Sequence, residues 1–562
     1  MIKVTEKVFF GRHKIICTGV LCLFVLFLAA QHNPDSLRQA RQPQPAGGIT
    51  DSIPAATEAG DSLREAPKVK IYLENADILS FDQERNPDAQ ILIGNVIFRQ
   101  DSSYMYCDSA YFYEESNSLD AFSNVRMEQG DSIFVYGDLL FYNGDTRLAR
   151  LRENVRMENQ EVTLFTDSLN YDRLTNIGYY FEGGLIVDSL NELSSYFGQY
   201  SPDTKLAVFN DSVKLTNPRF VLYSDTLHYN TATKVATILG PSTIVSDSGL
   251  VHSSRGWYDT VNNTSMLYDR SDVSSGSKIL TGDSIYYNRA LGIGEAFGNM
   301  SLRDTTQKAI LEGNYGYFND PEGFAFATDS ARFLEYSKGD TLFLHADTLQ
   351  MFTIDSTARE IKAFYDVRFY RTDMQGVCDS MQYNTRDSIL YMYTDPVLWN
   401  ETYQLYGDTI LVYMNDTTID FAHVKEFAFA AQEMDSSYYN QLKGNDLKAF
   451  FNNQQIERIE VAGNAESIFY PLEDDGSKIG MNETKSGFLN IWVKDGKLDK
   501  LKIWPNPQGT LTPIPDLDPS KKILKDFNWF DYLRPENKDD IYRVVKRKSM
   551  DKPKRNNDKF KH

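Results

Sequence analysis

One short phrase recurs along the chain: a small residue, an aspartate, most often a serine or threonine, and then apolar residues at alternate positions. Neighbouring copies lie 29 to 32 residues apart, or 58 to 64 apart where a degenerate copy intervenes. A fixed period of this size indicates stacked supersecondary units, each of which buries its apolar face against its neighbours. The nine aspartates of the phrase are Asp77, Asp108, Asp138, Asp167, Asp225, Asp283, Asp347, Asp379 and Asp408.

The second and fourth residues after each aspartate are almost all apolar or aromatic, which predicts a strand with one face toward a core. A turn signal follows, and about a dozen residues later many units carry a second phrase of the type Gly-Asn-Val or Asn-Val. Each unit is therefore predicted to contain about three short strands joined by tight turns. The residues predicted to point inward are Leu140, Tyr142, Leu169, Tyr171, Leu227, Tyr229, Ile285, Tyr287, Leu349, Met381 and Tyr383.

Composition argues against several classes of function. The formal net charge of -20 is the opposite of the basic face that a nucleic-acid partner requires. The seven histidines are never paired at metal-ligand spacing, and no phosphate-binding loop or nucleophile elbow occurs. The recurring aspartates suggest either calcium or hydrogen bonds to turn amides, and the single aspartate per unit favours the hydrogen bonds. We therefore predict no catalytic residues, no metal and no cofactor.

The N-terminus has the charge pattern of an export signal. Basic residues precede the charge-free, mostly apolar stretch 15–30, so residues 1–30 are predicted to be a signal peptide or a retained membrane anchor. The stretch 31–67 is rich in Ala, Pro, Gln, Ser and Asp without periodicity, which predicts a flexible tether.

The repeat pattern stops near residue 503, and 504–562 form a distinct C-terminal region. Five prolines lie between 505 and 519, and residues 521–533 are predicted to form a short amphipathic helix that covers the last open sheet edge. From Arg543 onward the chain becomes basic. This tail is either solvated or docks on an anionic membrane surface.

The order of the two sequence patterns resembles that found in the OstA-like family. This family includes the periplasmic lipopolysaccharide-transport proteins of LptA type and the N-terminal domain of LptD. The resemblance covers residues 71–503 and rests on Gly-Asn-Val followed by Asp-Ser-hydrophobic-x-Tyr, repeated in series. It implies an all-β, elongated β-jellyroll of about thirteen units of about 29 residues, with parts at 68–300 and 301–503. It also implies a periplasmic, non-enzymatic protein that carries lipopolysaccharide between the inner and outer membranes.

By this resemblance, the inward residues would line a groove for acyl chains. The implied partners are lipopolysaccharide, other jellyroll components of the transport bridge and the outer-membrane translocon. If each unit adds one and a half strands to each sheet, the body is about 90 Å long at ~4.8 Å per strand. The alternatives are an exported scaffold or surface adhesin with a packed core and, third, a glycan-processing β-solenoid enzyme. The groove and the scaffold differ in whether the interior is open.

Overall fold

A computed structural model of the protein describes residues 69–548, except 85, 86, 161, 248, 338, 416, 417, 474, 495 and 496. The predicted leader at 1–30, the tether at 31–67 and the tail beyond 548 lie outside the described residues. Most of the described chain is β-strand, and every strand pairing is antiparallel, so the predicted all-β class is confirmed.

The strands are joined into one 38-stranded sheet. The first half contains β1 (Tyr72–Asn75), β2 (Ile78–Phe81), β3 (Gln90–Gln100), β4 (Ser103–Tyr113), β5 (Ser118–Gln129), β6 (Ile133–Asn143), β7 (Leu148–Asn159), β8 (Val162–Asp172), β9 (Ile177–Tyr180), β10 (Gly184–Val187), β11 (Glu192–Ser195), β12 (Phe197–Ser201), β13 (Leu206–Asn217), β14 (Phe220–Asn230), β15 (Val235–Ile238), β16 (Ser242–Ser246), β17 (Gly249–Ser253), β18 (Arg255–Asp259) and β19 (Thr264–Ser275). The second half contains β20 (Lys278–Asn288), β21 (Ile293–Asp304), β22 (Ala309–Asn319), β23 (Phe324–Thr328), β24 (Arg332–Glu335), β25 (Leu342–His345), β26 (Thr348–Thr353), β27 (Arg359–Arg371), β28 (Met374–Asn384), β29 (Ile389–Tyr393), β30 (Val397–Asn400), β31 (Tyr403–Tyr406), β32 (Thr409–Met414), β33 (Ile419–Asp435), β34 (Tyr438–Asn452), β35 (Gln455–Phe469), β36 (Gly480–Lys494), β37 (Lys497–Trp504) and β38 (Gln508–Pro513).

Each repeat consists of two long, bent strands, which we call rungs, rather than the three short strands predicted. The recurring aspartate pattern and the Gly-Asn-Val or Asn-Val pattern each mark a bend inside a rung. At the bend the pairing register shifts, and residues such as Ser123 and Asn124 take positive φ. In ten rungs the bend divides the rung into two short strands, as in β9 and β10, so the 38 strands form 28 rungs. The turn predicted at the Gly-Asn-Val or Asn-Val pattern, about a dozen residues after the first turn signal, is this bend.

The bends fold the sheet over on itself. Through β4 and β5, Tyr142 lies in register with the Gln90 end of β3, yet its hydroxyl bonds to Gln100 at the other end. Ten residues of straight strand would separate those ends by about 33 Å. The sheet therefore forms two facing layers joined along one corner. Layer I ends at turns such as 114–117, and layer II ends at turns such as 101–102.

A single apolar core fills the space between the layers. It extends from Ile71 to Leu489 without interruption, because alternate side chains of every rung point into it. The division predicted at 300/301 falls inside β21, so it marks no physical boundary. Each repeat adds two strands to each layer, so 28 rungs at ~4.8 Å give a length of about 130 Å rather than the predicted ~90 Å.

The predicted helix at 521–533 is wrong. This part of the chain contains short 3-10 turns, η1 (Ile514–Asp516), η2 (Pro519–Lys521), η3 (Asp531–Leu533) and η4 (Asp540–Tyr542). Positive φ at Asp526 interrupts any helix, and Gln404 accepts the Phe530 backbone N–H. We call residues 514–548 the C-terminal segment.

The C-terminal segment also does not cover the last sheet edge. Its side chains Leu524, Phe530 and Leu533 pack on the outer face of the stack, against a second apolar cluster that includes Trp399 and Phe429. The final rung, β37 and β38, pairs only with β36. The segment is therefore held by burial of its apolar side chains on this outer face.

At the corner between the layers, the asparagine of one sequence pattern is hydrogen-bonded to the aspartate of the other. Asn124 Nδ2 donates to Asp108 Oδ2 at 2.7 Å, and Asn299 Nδ2 donates to Asp283 Oδ2 in the same way. Asn95 with Asp77 and Asn154 with Asp138 repeat this contact. At these four corners the aspartate accepts a side-chain amide from the neighbouring rung, rather than only turn amides as predicted.

Replacing Asn124 by alanine is expected to lower the free energy of unfolding by about 1–2 kcal/mol, because alanine tolerates positive φ poorly and cannot donate to Asp108. Asn124→Gly is the matched control, since glycine keeps the backbone conformation at little cost. Hydrogen exchange of peptides spanning 103–129 measures the difference. Equal protection in both variants would show that the backbone conformation contributes nothing.

Candidate functional site

The structure places all eleven sequence-predicted inward residues between the two layers. Ten of them are at most 2% exposed, and only Tyr287 is half-buried. Leucines such as Leu140 and Leu227 lie near the corner, and the tyrosines follow two residues later, toward the turns. The interior is therefore apolar along its length, and at these ten positions it is closed and packed rather than open.

The tyrosine hydroxyls close the side of the stack opposite the corner. We call this side the seam, because there the turns of layer I face the turns of layer II. Tyr171 donates to Gln129 Oε1 at 3.2 Å, and Tyr229 donates to Asp188 Oδ2 at 2.6 Å. Each tyrosine thus buries its ring between the layers and bonds across the seam with its hydroxyl. We call each such tyrosine and its partner a latch pair.

The layer II partners were missed by the sequence reasoning. They are polar residues at the ends of layer II strands, and they accept or donate one hydrogen bond to a tyrosine of layer I. A regular signal was present, because the fourth residue after the valine of the Asn-Val phrase is polar in several units. The latch pairs are Gln100 with Tyr142, Gln129 with Tyr171, Asn159 with Tyr200, and Asp188 with Tyr229.

The Asp188 latch includes an ion pair. Besides Tyr229, its carboxylate accepts backbone N–H groups from Leu190 and Asn191 at 2.8 Å and pairs with Lys234 Nζ at 3.0 Å. Burial by itself raises the pKa of Asp188, but these donors outweigh it and hold the pKa below its ordinary value. Burial and the nearby carboxylate raise the pKa of Tyr229, so its hydroxyl stays protonated and remains a donor.

A buried arginine strengthens the seam at the first units. Arg173, which follows β8 in layer I, donates to Gln100 Oε1 at 3.0 Å and contacts the hydroxyls of Tyr142 and Ser103. Burial raises the pKa of Tyr142. The latch row therefore consists of noncovalent contacts, which are hydrogen bonds reinforced by charge at Arg173 and Asp188.

The interior is exposed at the first described rung. Leu79 and Phe81 occupy the same phrase positions as Leu140 and Tyr142, yet they are 55% and 57% exposed. No strand covers them among the described residues, because β2 pairs only with β3. At the other end, Leu498, Leu501 and Leu511 are also exposed on the last rung, which pairs with β36 on one side. Within the described residues, both ends of the stack thus have a sheet edge that no further strand covers.

The described concavities lie outside the two layers. One of about 730 Å³ at the corner is lined mainly by polar residues, among them Ser224, His252 and Arg270. Within the described residues, no three His, Cys, Asp or Glu side chains are grouped so as to hold a metal ion. No helix in the described part of the chain has the length and apolar character needed to cross a membrane.

Comparison with known proteins gives a family-model match and matches to solved structures. Residues 68–225 match the family model described as OstA-like protein. A solved structure, LptH from Pseudomonas aeruginosa, described as the LptA-homologous periplasmic component of the lipopolysaccharide transport device, is 12% identical. That alignment covers 21% of this chain and 82% of LptH, with a TM-score of 0.19. No curated protein matches the chain.

Proposed function

We propose that the chain carries lipopolysaccharide through its interior between the inner and outer membranes, and the match of residues 68–225 to the OstA-like family model supports this proposal. The observation that carries this proposal is the apolar core that continues from Ile71 to Leu489 between two layers joined on one side only. Acyl chains would occupy this space, and the saccharide would remain outside the seam. No bond is made or broken, so the protein acts as a conduit rather than as an enzyme.

The energetics favour opening of the seam by lipid. A neutral hydrogen bond contributes about 0.5–1.5 kcal/mol, so one latch pair is a small barrier. Burying a methylene is worth about 0.8 kcal/mol, so one acyl tail gains several times that amount. The tail would displace latch pairs locally, and the latches would close again behind it. Net movement requires an energy source outside this chain.

Open edges provide the contacts with partners. Among the described residues, β2 and β37 each have one edge without a neighbouring strand, and a strand of another jellyroll protein would add to such an edge by backbone hydrogen bonds. The exposed Leu79 and Phe81 would then continue the apolar interior into the partner. The proposed setting is the periplasm, with the N-terminal leader as export signal or anchor. Contact of the basic tail with a membrane surface remains a second, separate prediction.

The second candidate function is an exported scaffold. It is favoured by one observation, the complete burial of ten of the eleven predicted lining residues. In that case the interior never opens, and the latch pairs are permanent structure. The scaffold and the conduit therefore make opposite predictions about access to the interior in cells.

Site-specific photocrosslinking distinguishes them. A photoreactive residue is placed at Leu227, which is fully buried between the layers, and in a separate variant at His228, which points to the outside. We expect a lipopolysaccharide adduct at Leu227 and none at His228. Adducts only within the protein at Leu227, with normal export and abundance, would overturn the conduit and support the scaffold.

A further inference from the structure

The outside of the corner carries the same arrangement of rungs twice. From β9 to β18, and again from β23 to β32, two divided rungs are followed by two whole rungs and then by two more divided rungs. We call residues 177–259 the first corner set and residues 324–414 the second corner set. Both sets have the same length, because six rungs at ~4.8 Å span about 24 Å.

A concavity lies at the same place in each set. In the second set it is a cavity of about 280 Å³, and Arg368 and Val377 belong to its lining. In the first set it is the concavity of about 730 Å³ at the corner, and Lys214 and Tyr223 belong to its lining. These residues occupy equivalent positions, because Lys214 pairs with Tyr223 across the first two whole rungs as Arg368 pairs with Val377 across the other two.

The C-terminal segment forms the roof of the cavity in the second set. Arg368 Nη2 donates to the Leu533 carbonyl at 2.9 Å, and Arg547 Nη1 lies 3.8 Å from Asp395 Oδ2. Val377 is only 8% exposed and packs in the same apolar cluster as Leu533. The second set therefore holds a polypeptide through a backbone carbonyl, a basic side chain and an apolar contact.

No described segment covers the concavity of the first set. Its lining residues all come from the rungs between β11 and β19 and their bends. Lys214, at the position of Arg368, makes no side-chain hydrogen bond or ion pair with the described residues. Tyr223, at the position of Val377, is 48% exposed. The positions that hold a polypeptide in the second set are therefore available in the first.

The charges of the first set favour a basic partner. Asp225 and Asp272 line the concavity, and neither carboxylate bonds to a described residue. Two further charged lining residues are already paired with neighbouring side chains. Two free carboxylates against the ammonium of Lys214 leave a net negative site, which complements the charge of an arginine or lysine side chain.

Other classes of ligand fit this concavity less well. Val213 and Pro241 are its only aliphatic lining residues, so an acyl chain would bury little apolar surface there. Ser242 Oγ donates to Ser224 Oγ at 2.8 Å, so these floor hydroxyls already have partners. A phosphate group would face the two free carboxylates and be repelled.

We infer that the concavity of the first corner set is a docking site for a basic polypeptide segment of a partner protein. This segment resembles the C-terminal segment in how it binds. It offers a backbone carbonyl to Lys214, a basic side chain to Asp225 and Asp272, and an apolar or aromatic side chain to Tyr223. The inference follows from the equivalence of the two corner sets and does not depend on lipid transport.

A synthetic peptide with the sequence of residues 530–548 is the probe, because the second set binds this stretch of chain. It contains six basic and four acidic residues. An aromatic photoreactive residue replaces Tyr223 in the full-length protein. In a separate variant it replaces Phe297, which is 40% exposed on the outside of layer I. We expect a peptide adduct at position 223 and none at position 297, and absence of the adduct at 223 would overturn the site.

The affinity of the peptide, measured by fluorescence anisotropy, tests the residues. In Asp225→Asn/Asp272→Asn we expect it to fall at least about fivefold, because the complementary charge is removed. The fold should persist, since neither carboxylate has a described partner. Glu115→Gln/Asp131→Asn is the matched control, because it removes two exposed carboxylates from turns elsewhere and should leave the affinity unchanged. An equal affinity of all three proteins, or an equal loss in both variants, would overturn the site.

The same photoreactive probe identifies a different occupant. An adduct with residues 549–562 of the same chain would assign the concavity to the basic tail, and a covalent dimer would assign it to a second copy. Capture of the neutral oligosaccharide chitotetraose in preference to the peptide would assign it to carbohydrate. Peptide binding that requires Arg368 instead of Asp225 and Asp272 would mean exchange with the C-terminal segment. Each of these results would overturn docking of a partner protein.

Discussion

Replacing Asp188 by alanine is expected to destabilise the seam around it by about 3–5 kcal/mol, because Lys234 and Tyr229 would lose their buried partner. The side chain of Asp188 is fully buried, so water cannot substitute for it without opening the layers. In a stacked repeat the loss stays near the site. Hydrogen exchange of peptides from β10 to β14 should therefore accelerate, while peptides from β27 and β28 serve as an internal reference.

Two variants resolve the contributions to this effect. Tyr229→Phe removes only the hydroxyl, so we expect a loss of about 1 kcal/mol. Asp188→Asn keeps an acceptor but removes the charge opposite Lys234, and its loss should be intermediate. If Asp188→Ala were no worse than Tyr229→Phe, the charged part of this latch would contribute nothing.

The same latch should respond to acid. The pKa of Asp188 is lower in the folded protein than in the unfolded chain, where it is about 3.9. Its stabilisation is therefore complete above that pH and is lost as the pH falls through the folded-state pKa. Peptides from β10 to β14 should lose protection at acidic pH in the parent protein. Asp188→Asn should lack this step, and its presence there would assign the step to another group.

Ending the chain after Pro513 is expected to destabilise the C-terminal rungs by on the order of 5 kcal/mol, because it uncovers the outer-face cluster around Trp399, Phe429 and Tyr470. The removed C-terminal segment contributes Leu524 and Phe530 to that cluster. Faster hydrogen exchange in β30 to β35, together with binding of a dye specific for exposed apolar surface, would measure the effect.

A shorter truncation provides the control. Ending the chain after Lys548 removes only residues beyond the described part and leaves the whole C-terminal segment in place. Exchange in β30 to β35 should then match that of the full-length chain. The truncation after Pro513 should also leave β3 to β8 unchanged, because contacts in a stack extend only to neighbouring rungs. Equal exchange in the two truncated chains would refute a stabilising role for the segment.

The repeat period and the two-residue alternation were sufficient for several correct predictions from sequence alone. They predicted the all-β class, the stacking and the inward position of residues such as Leu227 and Tyr229, because alternation in a strand is a local property. The resemblance to OstA-like proteins was confirmed for residues 68–225. The strand count per unit was wrong, because a bend and a turn use the same residue types, Asn, Asp and Gly.

Only the tertiary structure decided how the rungs meet across the seam. Gln100 and Tyr142 are 42 residues apart, and nothing local relates them until the corner folds one layer over the other. The same folding placed the C-terminal segment on the outer face near Trp399 instead of at the sheet edge. The chain's alternation determined which residues are inside, whereas the packing of two distant layers determined which of them close the interior.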